Sequence, residues 1–262
     1  MSSYPNKRPM IFFYRLLPIL SALVVGGVFY GQWQQPLAYP WIAAVGILAV
    51  SLAMILISRR RVRLADMAEK MLPTFILLVA LAFGLLLAEG ALAHWVIIII
   101  GSLASFLSLE LLFLLSFMPS RYPVNSLSHV NIAYVTFIVW YTAATSVGLM
   151  AFLHSPKWLF VSLFVGLSLI LFRTTGHPGA TREQNRIWML VGALAGLHVG
   201  LLNSALPLSM AAQGTLSMVV LCGILRMRRY LYHPLPGRRQ AWIEALTAIL
   251  LVGTVMGTSR WL

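Results

Sequence analysis

The sequence predicts an all-α fold, a polytopic transmembrane helix bundle with about nine spans. Hydrophobic residues make up 60% of the 262-residue chain and charged residues only 10%, whereas soluble domains carry about 25% charged residues. The apolar runs are continuous, which favours helices over the alternating strands of a membrane barrel. Basic segments alternate with uncharged ones along the chain. Together these observations predict helices that cross a bilayer repeatedly.

The alternation of basic segments also predicts an orientation. If the N-terminus is cytoplasmic, 17 of the 19 lysines and arginines fall on the cytoplasmic side, and only Lys157 and Arg260 fall outside. Cytoplasmic loops of membrane proteins carry an excess of Lys and Arg. We therefore expect a cytoplasmic N-terminus and an external C-terminus.

The first four spans are bounded by charge and by turn residues. The first apolar run follows Lys7 and Arg8 and lacks a small-residue cleavage site, so we expect an uncleaved span rather than a signal peptide. The second ends at the basic run that begins with Arg59, and the third follows Lys70. The fourth exceeds the ~20 residues that a crossing needs, which predicts tilt. The predicted spans are 11–31, 38–58, 71–87 and 91–118.

The remaining five spans follow the same pattern. A short external turn before Lys157 separates the fifth from the sixth. The polar segment 173–186 and the arginine-rich segment 226–240 are predicted to be cytoplasmic loops. The predicted spans are 130–153, 158–172, 187–206, 207–225 and 241–258. Because every connection is short, we expect a single integral-membrane domain over residues 1–262.

The net charge is +13, and we expect the basic residues to set the membrane orientation and to contact lipid headgroups. Anionic headgroups attract each basic residue near the surface by about 1 kcal/mol. No loop is long enough for a folded nucleic-acid-binding surface, so we expect anionic lipid and no nucleic acid as partner. The arginines predicted to contact headgroups are Arg59, Arg60, Arg61, Arg63, Arg226, Arg228, Arg229, Arg238 and Arg239.

Glu110 is the main candidate for a functional residue within a span. A charged group inside the membrane is costly and often marks a site. One interpretation is a proton or cation site, and the other is a structural carboxyl that is hydrogen-bonded or close to the interface. Asn131, at the start of the fifth span, is predicted at a compatible depth and is the expected partner.

Three further polar residues complete the candidate intramembrane site. Asn203 and Gln213 flank the turn between spans seven and eight and are predicted to be neighbours, either at the mouth of a polar cavity or as solvated helix ends. His198 points away from the adjacent glycines. It would need a second histidine at mid-membrane depth to bind haem, and the other five histidines lie at span ends or in loops. With the single cysteine, Cys222, we expect no cofactor and no metal.

Glycines at four-residue spacing predict close helix packing. Gly192, Gly196 and Gly200 form one smooth helix face on which another helix can approach. The pairs Gly27–Gly31 and Gly253–Gly257 are weaker instances of the same pattern.

These features favour a transporter or permease for a neutral or lipid-like solute, because charged groups within the spans are too sparse for an ionic substrate. The alternative is a structural or accessory subunit, with a membrane-protein partner or with copies of itself. Catalysis is the least supported class, since Asp66 is the only aspartate and lies in a loop. A bacterial or archaeal plasma membrane is the expected location.

Overall fold

The computed structural model describes residues 8–58, 64–118, 124–154, 156–174, 181–206, 208–232 and 238–258. These residues form nine α-helices and a short 3₁₀ turn, with no strand among them. The predicted all-helical fold is confirmed for this part of the chain. The helices are α1 Arg8–Gln34, α2 Tyr39–Ser58, α3 Leu64–Leu87, α4 Ala91–Phe117, α5 Val124–Phe152, α6 Lys157–Thr174, α7 Arg182–Ala205, α8 Met210–Tyr232 and α9 Arg238–Thr258.

Five of these helices are long and apolar enough to cross a membrane: α1, α4, α5, α7 and α8. Shorter apolar segments lie in α2, α3 and α9. Five helices of this length and composition indicate a membrane protein. The count of nine spans and the orientation stay predictions.

Several helices extend beyond the predicted spans. Helix α3 begins at Leu64, seven residues before the predicted start, and α8 continues to Tyr232. The segment 226–232 is therefore helix and not the predicted loop. Hydropathy marks only the part of a helix that suits lipid, whereas backbone hydrogen bonding continues through polar residues.

Helix α7 begins within a segment that was predicted to be a loop. The Gln184 amide donates to the Thr181 hydroxyl at 3.2 Å, and the Thr181 amide donates to Gln184 Oε1 at 2.9 Å. This reciprocal capping box satisfies backbone groups that the first helical turn leaves unpaired. The Thr-x-x-Gln spacing is a recognised helix-start signal, which the hydropathy argument did not use.

The chain divides into two compact units, residues 1–130 and 131–262. The expectation of one domain stays a prediction.

In the first unit, α1 and α4 run antiparallel. The Tyr14 ring stacks on Phe117 at a centroid distance of 5.2 Å, and the Trp33 ring stacks on His94 at 5.0 Å, near opposite ends of both helices. Between these ends, a Cβ added to Gly26 would lie only 2.8 Å from the Ser102 hydroxyl oxygen, so the two helices pack closely there.

Two side-chain hydrogen bonds join α3 to these helices. Gln32 Nε2 donates to the Ala82 carbonyl at 2.6 Å, and the Thr74 and Ser108 hydroxyls are 2.7 Å apart. Gln32 is 1% exposed. Its hydrogen bond to a backbone carbonyl offsets part of the free-energy cost of burying the amide.

In the second unit, α6 packs along α7, and α5 contacts α8. The indole Nε1 of Trp140 donates to the Thr215 hydroxyl at 3.1 Å. Trp140 lies in the middle of α5, and its indole N–H links α5 to α8 by this hydrogen bond.

Candidate functional site

Glu110 is half-buried in the last third of α4. It lies four residues after Phe106 and therefore on the same helix face. Asn131, its predicted partner, is on α5 in the second unit, and its side chain lies outside the described residues. The partnership therefore stays a prediction.

The structure brings Asn203 and Gln213 together, as predicted. Gln213 Nε2 donates to the Asn203 carbonyl at 3.1 Å and to the Leu206 carbonyl at 2.8 Å. Asn203 Nδ2 donates to the Ser217 hydroxyl at 2.7 Å. These bonds tie the end of α7 to the start of α8.

Both amides are only 5% exposed. They are therefore not solvated helix ends, which was one of the two predicted alternatives. Their carbonyl oxygens, Asn203 Oδ1 and Gln213 Oε1, accept no hydrogen bond from the described residues. The cluster is therefore a buried set of hydrogen bonds between α7 and α8, and not the entrance of a polar cavity.

We expect Gln213→Leu to destabilise the protein by about 1 kcal/mol, since hydrogen bonds between membrane helices contribute roughly 0.6–1.7 kcal/mol. The change leaves the Asn203 and Leu206 carbonyls without their donor. Thermal unfolding of the purified protein in detergent measures the effect. Ser204→Ala is the control, because that hydroxyl donates only to Leu201 of its own helix. Equal melting temperatures for the two variants would contradict the assigned role.

The glycine face of α7 packs directly on α6. A Cβ at Gly192 would lie 2.6 Å from the Phe172 ring, and one at Gly200 would lie 2.9 Å from Val161 Cα. At Gly196 it would lie 2.6 Å from the Phe164 carbonyl oxygen. Only glycine leaves room for this approach.

The two weaker glycine pairs do not share this geometry. Within the described residues, a Cβ at Gly27, Gly253 or Gly257 would meet nothing within 4 Å. At Gly31 it would meet only the Ile42 side chain, at 4.0 Å. The described residues therefore show no close helix approach at these positions, although the spacing matches the motif.

His198 lies on the exposed side of α7, away from the glycine face. Its Nδ1 is 2.7 Å from the Leu194 carbonyl oxygen of the same helix. One ring nitrogen of His198 is therefore hydrogen-bonded within its own helix. Among the described residues, no hydrogen bond joins His198 to Asn203 or Gln213.

Arg228 has a different environment from the predicted headgroup contact. It is 2% exposed, and its Nη1 donates to the Phe172 carbonyl at 2.7 Å. Its Nη2 donates to Asn185 Oδ1. The guanidinium therefore joins α8 to the C-terminal end of α6 and to the first turns of α7. A cation at a helix C-terminus is favourable, because carbonyls there carry partial negative charge.

The other predicted headgroup arginines are described only in part. Arg226 is half-buried on α8. Arg59, Arg60, Arg61 and Arg63 lie outside the described residues, as do the side chains of Arg229, Arg238 and Arg239. Headgroup contact stays a prediction for these residues.

An open groove of about 630 Å³ lies between α1 and α4 in the first unit. Hydropathy and motif arguments did not indicate it, because its walls are ordinary apolar residues. We call it the α1–α4 groove. Its lining includes Ile19, Leu23, Gly27, Tyr30, Trp95 and Phe106.

The polar atoms within the groove are few. The Ser102 hydroxyl donates to the Ile98 carbonyl of its own helix at 2.9 Å. Tyr30 and Trp95, which are 45% and 48% exposed, lie at one end and contact the Trp33 ring edge to face. Aromatic residues of this kind prefer the membrane interface. The groove thus has an apolar length and one aromatic end.

No group of three or more potential metal ligands occurs in the part of the chain that the structure describes. No protein family, curated protein or solved structure matches this chain.

Proposed function

We propose that this protein is a carrier for a neutral or lipid-like molecule, which reaches the α1–α4 groove sideways from the bilayer. The observation that supports the proposal is the groove itself. Its volume of about 630 Å³ falls within the range of small-molecule sites, and its walls are apolar.

The disposition of polar groups supports the same class of solute. Gln32, Asn203, Gln213 and Arg228 are all buried and donate to helix backbone or neighbouring side chains. These groups are engaged in helix contacts, and an ionic substrate would need polar groups directed at its path. A solute with an apolar body needs fewer of them.

The proposal also covers the surroundings of the protein. We propose a plasma membrane of a bacterium or archaeon, crossed by about nine spans. The basic residues near the helix ends would contact anionic headgroups on the cytoplasmic side.

Blocking the groove tests the function. We expect Gly27→Leu to slow transfer, because the new side chain projects into the groove while meeting no described atom at its Cβ within 4 Å. The assay places tail-labelled fluorescent phosphatidylcholine or phosphatidylethanolamine in vesicles that contain the protein. Dithionite, added outside, bleaches label that reaches the outer leaflet. Wild-type protein should increase bleaching, and Gly27→Leu should reduce that increase.

Gly223→Leu is the matched control. Gly223 is an exposed glycine of α8, and its Cβ position is equally open among the described residues. Both changes add the same side chain and the same helix propensity. If wild-type vesicles bleach like empty ones for both lipids, or if the two glycine variants behave alike, the carrier function is wrong.

A structural or accessory subunit is the second candidate. The glycine face of α7 and the hydrogen bonds between helices suit a protein whose residues serve packing. Purification in mild detergent separates the two candidates. A membrane-protein partner that is retained in fixed stoichiometry favours the accessory role, whereas purified protein that transfers lipid alone favours the carrier.

A further inference from the structure

The α1–α4 groove ends at two opposite charges. Arg15 lies four residues before Ile19 on α1, and Glu110 lies four residues after Phe106 on α4. Residues four apart share a helix face, so both side chains continue the faces that line the groove. Arg15 is exposed and Glu110 is half-exposed.

Both charges lie at the same end of the groove. The Tyr14 ring stacks on Phe117 at 5.2 Å, which places the start of α1 beside the end of α4. Gly26 faces Ser102 in the middle of the same pair of helices. This antiparallel register puts Glu110 about one helical turn further along the groove than Arg15. No salt bridge within 4.0 Å joins the two side chains.

The dimensions of the groove match one lipid chain. Ile19 and Tyr30 are eleven residues apart, which at 1.5 Å per residue spans about 16 Å. An acyl chain can therefore lie along the groove, with its headgroup at the charged end and its tail directed toward the aromatic end.

We propose that the α1–α4 groove selects a phospholipid with a primary ammonium headgroup, such as phosphatidylethanolamine. Arg15 binds the phosphate, because a guanidinium can donate two hydrogen bonds to its oxygens. Glu110 accepts a hydrogen bond from the ammonium, and a choline headgroup has no N–H to offer. The complete headgroup has no net charge, which fits the sparse charge within the spans. This assignment rests on the proposed function and specifies its substrate class.

The test titrates the full-length protein in detergent with dioleoyl lipids and counts bound lipid by native mass spectrometry. Wild-type protein should bind phosphatidylethanolamine about fivefold more tightly than phosphatidylglycerol or phosphatidylcholine, the size of effect that one partly exposed charge pair supplies. Glu110→Gln should remove this preference and leave phosphatidylglycerol binding no weaker. Arg15→Gln should weaken binding of all three lipids.

Matched variants keep the result interpretable. Glu89→Gln and Arg182→Gln remove exposed charges away from the groove and should preserve the preference, as should the conservative Glu110→Asp. Equal binding of the three lipids by wild-type protein, or a preference that survives in Glu110→Gln, would overturn the headgroup assignment. If the three lipids bind equally and Gly27→Leu lowers the binding of all three, lipid still binds in the groove and the proposed carrier function is not contradicted. If Gly27→Leu leaves all lipid binding unchanged, the groove is not the site and both proposals fail.

Discussion

Replacing Gly196 by leucine should cause the largest loss of stability of any substitution considered for this chain, about 3 kcal/mol or more. A Cβ at this position would lie 2.5 Å from the Ser168 hydroxyl oxygen and 2.6 Å from the Phe164 carbonyl oxygen. The serine can change rotamer, but the carbonyl belongs to the backbone of α6 and cannot move alone. The two helices must therefore separate, and the neighbouring contacts at Gly192 and Gly200 loosen with them.

The same substitution at Gly166 isolates the effect of space. Gly166 lies on α6, and its Cβ position meets no described atom within 4 Å. Both substitutions improve helix propensity by about 0.8 kcal/mol, so the two variants differ in the free space around the new side chain. Thermal unfolding and size-exclusion chromatography in detergent should show Gly166→Leu as stable as the wild type and Gly196→Leu strongly destabilised or aggregated. Similar melting temperatures for both variants would refute the packing argument.

Arg228→Gln should have the second largest effect, a loss of about 2 to 4 kcal/mol. The guanidinium donates to the Phe172 carbonyl at 2.7 Å and to Asn185, and it is 2% exposed. The shorter amide cannot reach both acceptors, which then stay buried without their charged donor. Arg228→Lys should recover only part of the loss, because an ammonium lacks the planar fork. A fall in melting temperature of about 5 to 15 °C is expected.

Arg182→Gln is the matched control for this prediction. Arg182 is exposed in the first turn of α7, where a cation has no favourable interaction with the helix dipole. Its loss should leave the melting temperature unchanged. If Arg228→Gln unfolds like Arg182→Gln, the buried guanidinium does not hold these helices together.

The helices were largely predictable because lipid-compatible runs of residues are long and continuous. The boundaries of α4, 91–118 by prediction and Ala91–Phe117 in the structure, nearly coincide. The predicted boundaries were wrong where polar residues continue a helix, as at the start of α7, because hydropathy carries no information about backbone hydrogen bonds. A Thr-x-x-Gln capping box carried the missing information in the sequence.

The candidate site was predictable only where chain neighbours meet. Asn203 and Gln213 are separated by one turn between helices, so their proximity follows from connectivity. The contact between Arg228 and Phe172 joins residues 56 positions apart, and no local pattern encodes it. The α1–α4 groove was missed for a related reason: it depends on the register of two helices whose apolar residues are individually unremarkable.

If the predicted orientation is right, Arg228 has two different environments, one before folding and one after it. Before its contacts with α6 and α7 form, its positive charge would help to hold this end of α8 on the cytoplasmic side. After folding, the same guanidinium is enclosed and joins three helices. On that prediction, a substitution at this position would act on two separate steps, the choice of orientation and the later assembly of the bundle. Lysine would keep the charge for the first step and weaken the second, whereas glutamine would weaken both.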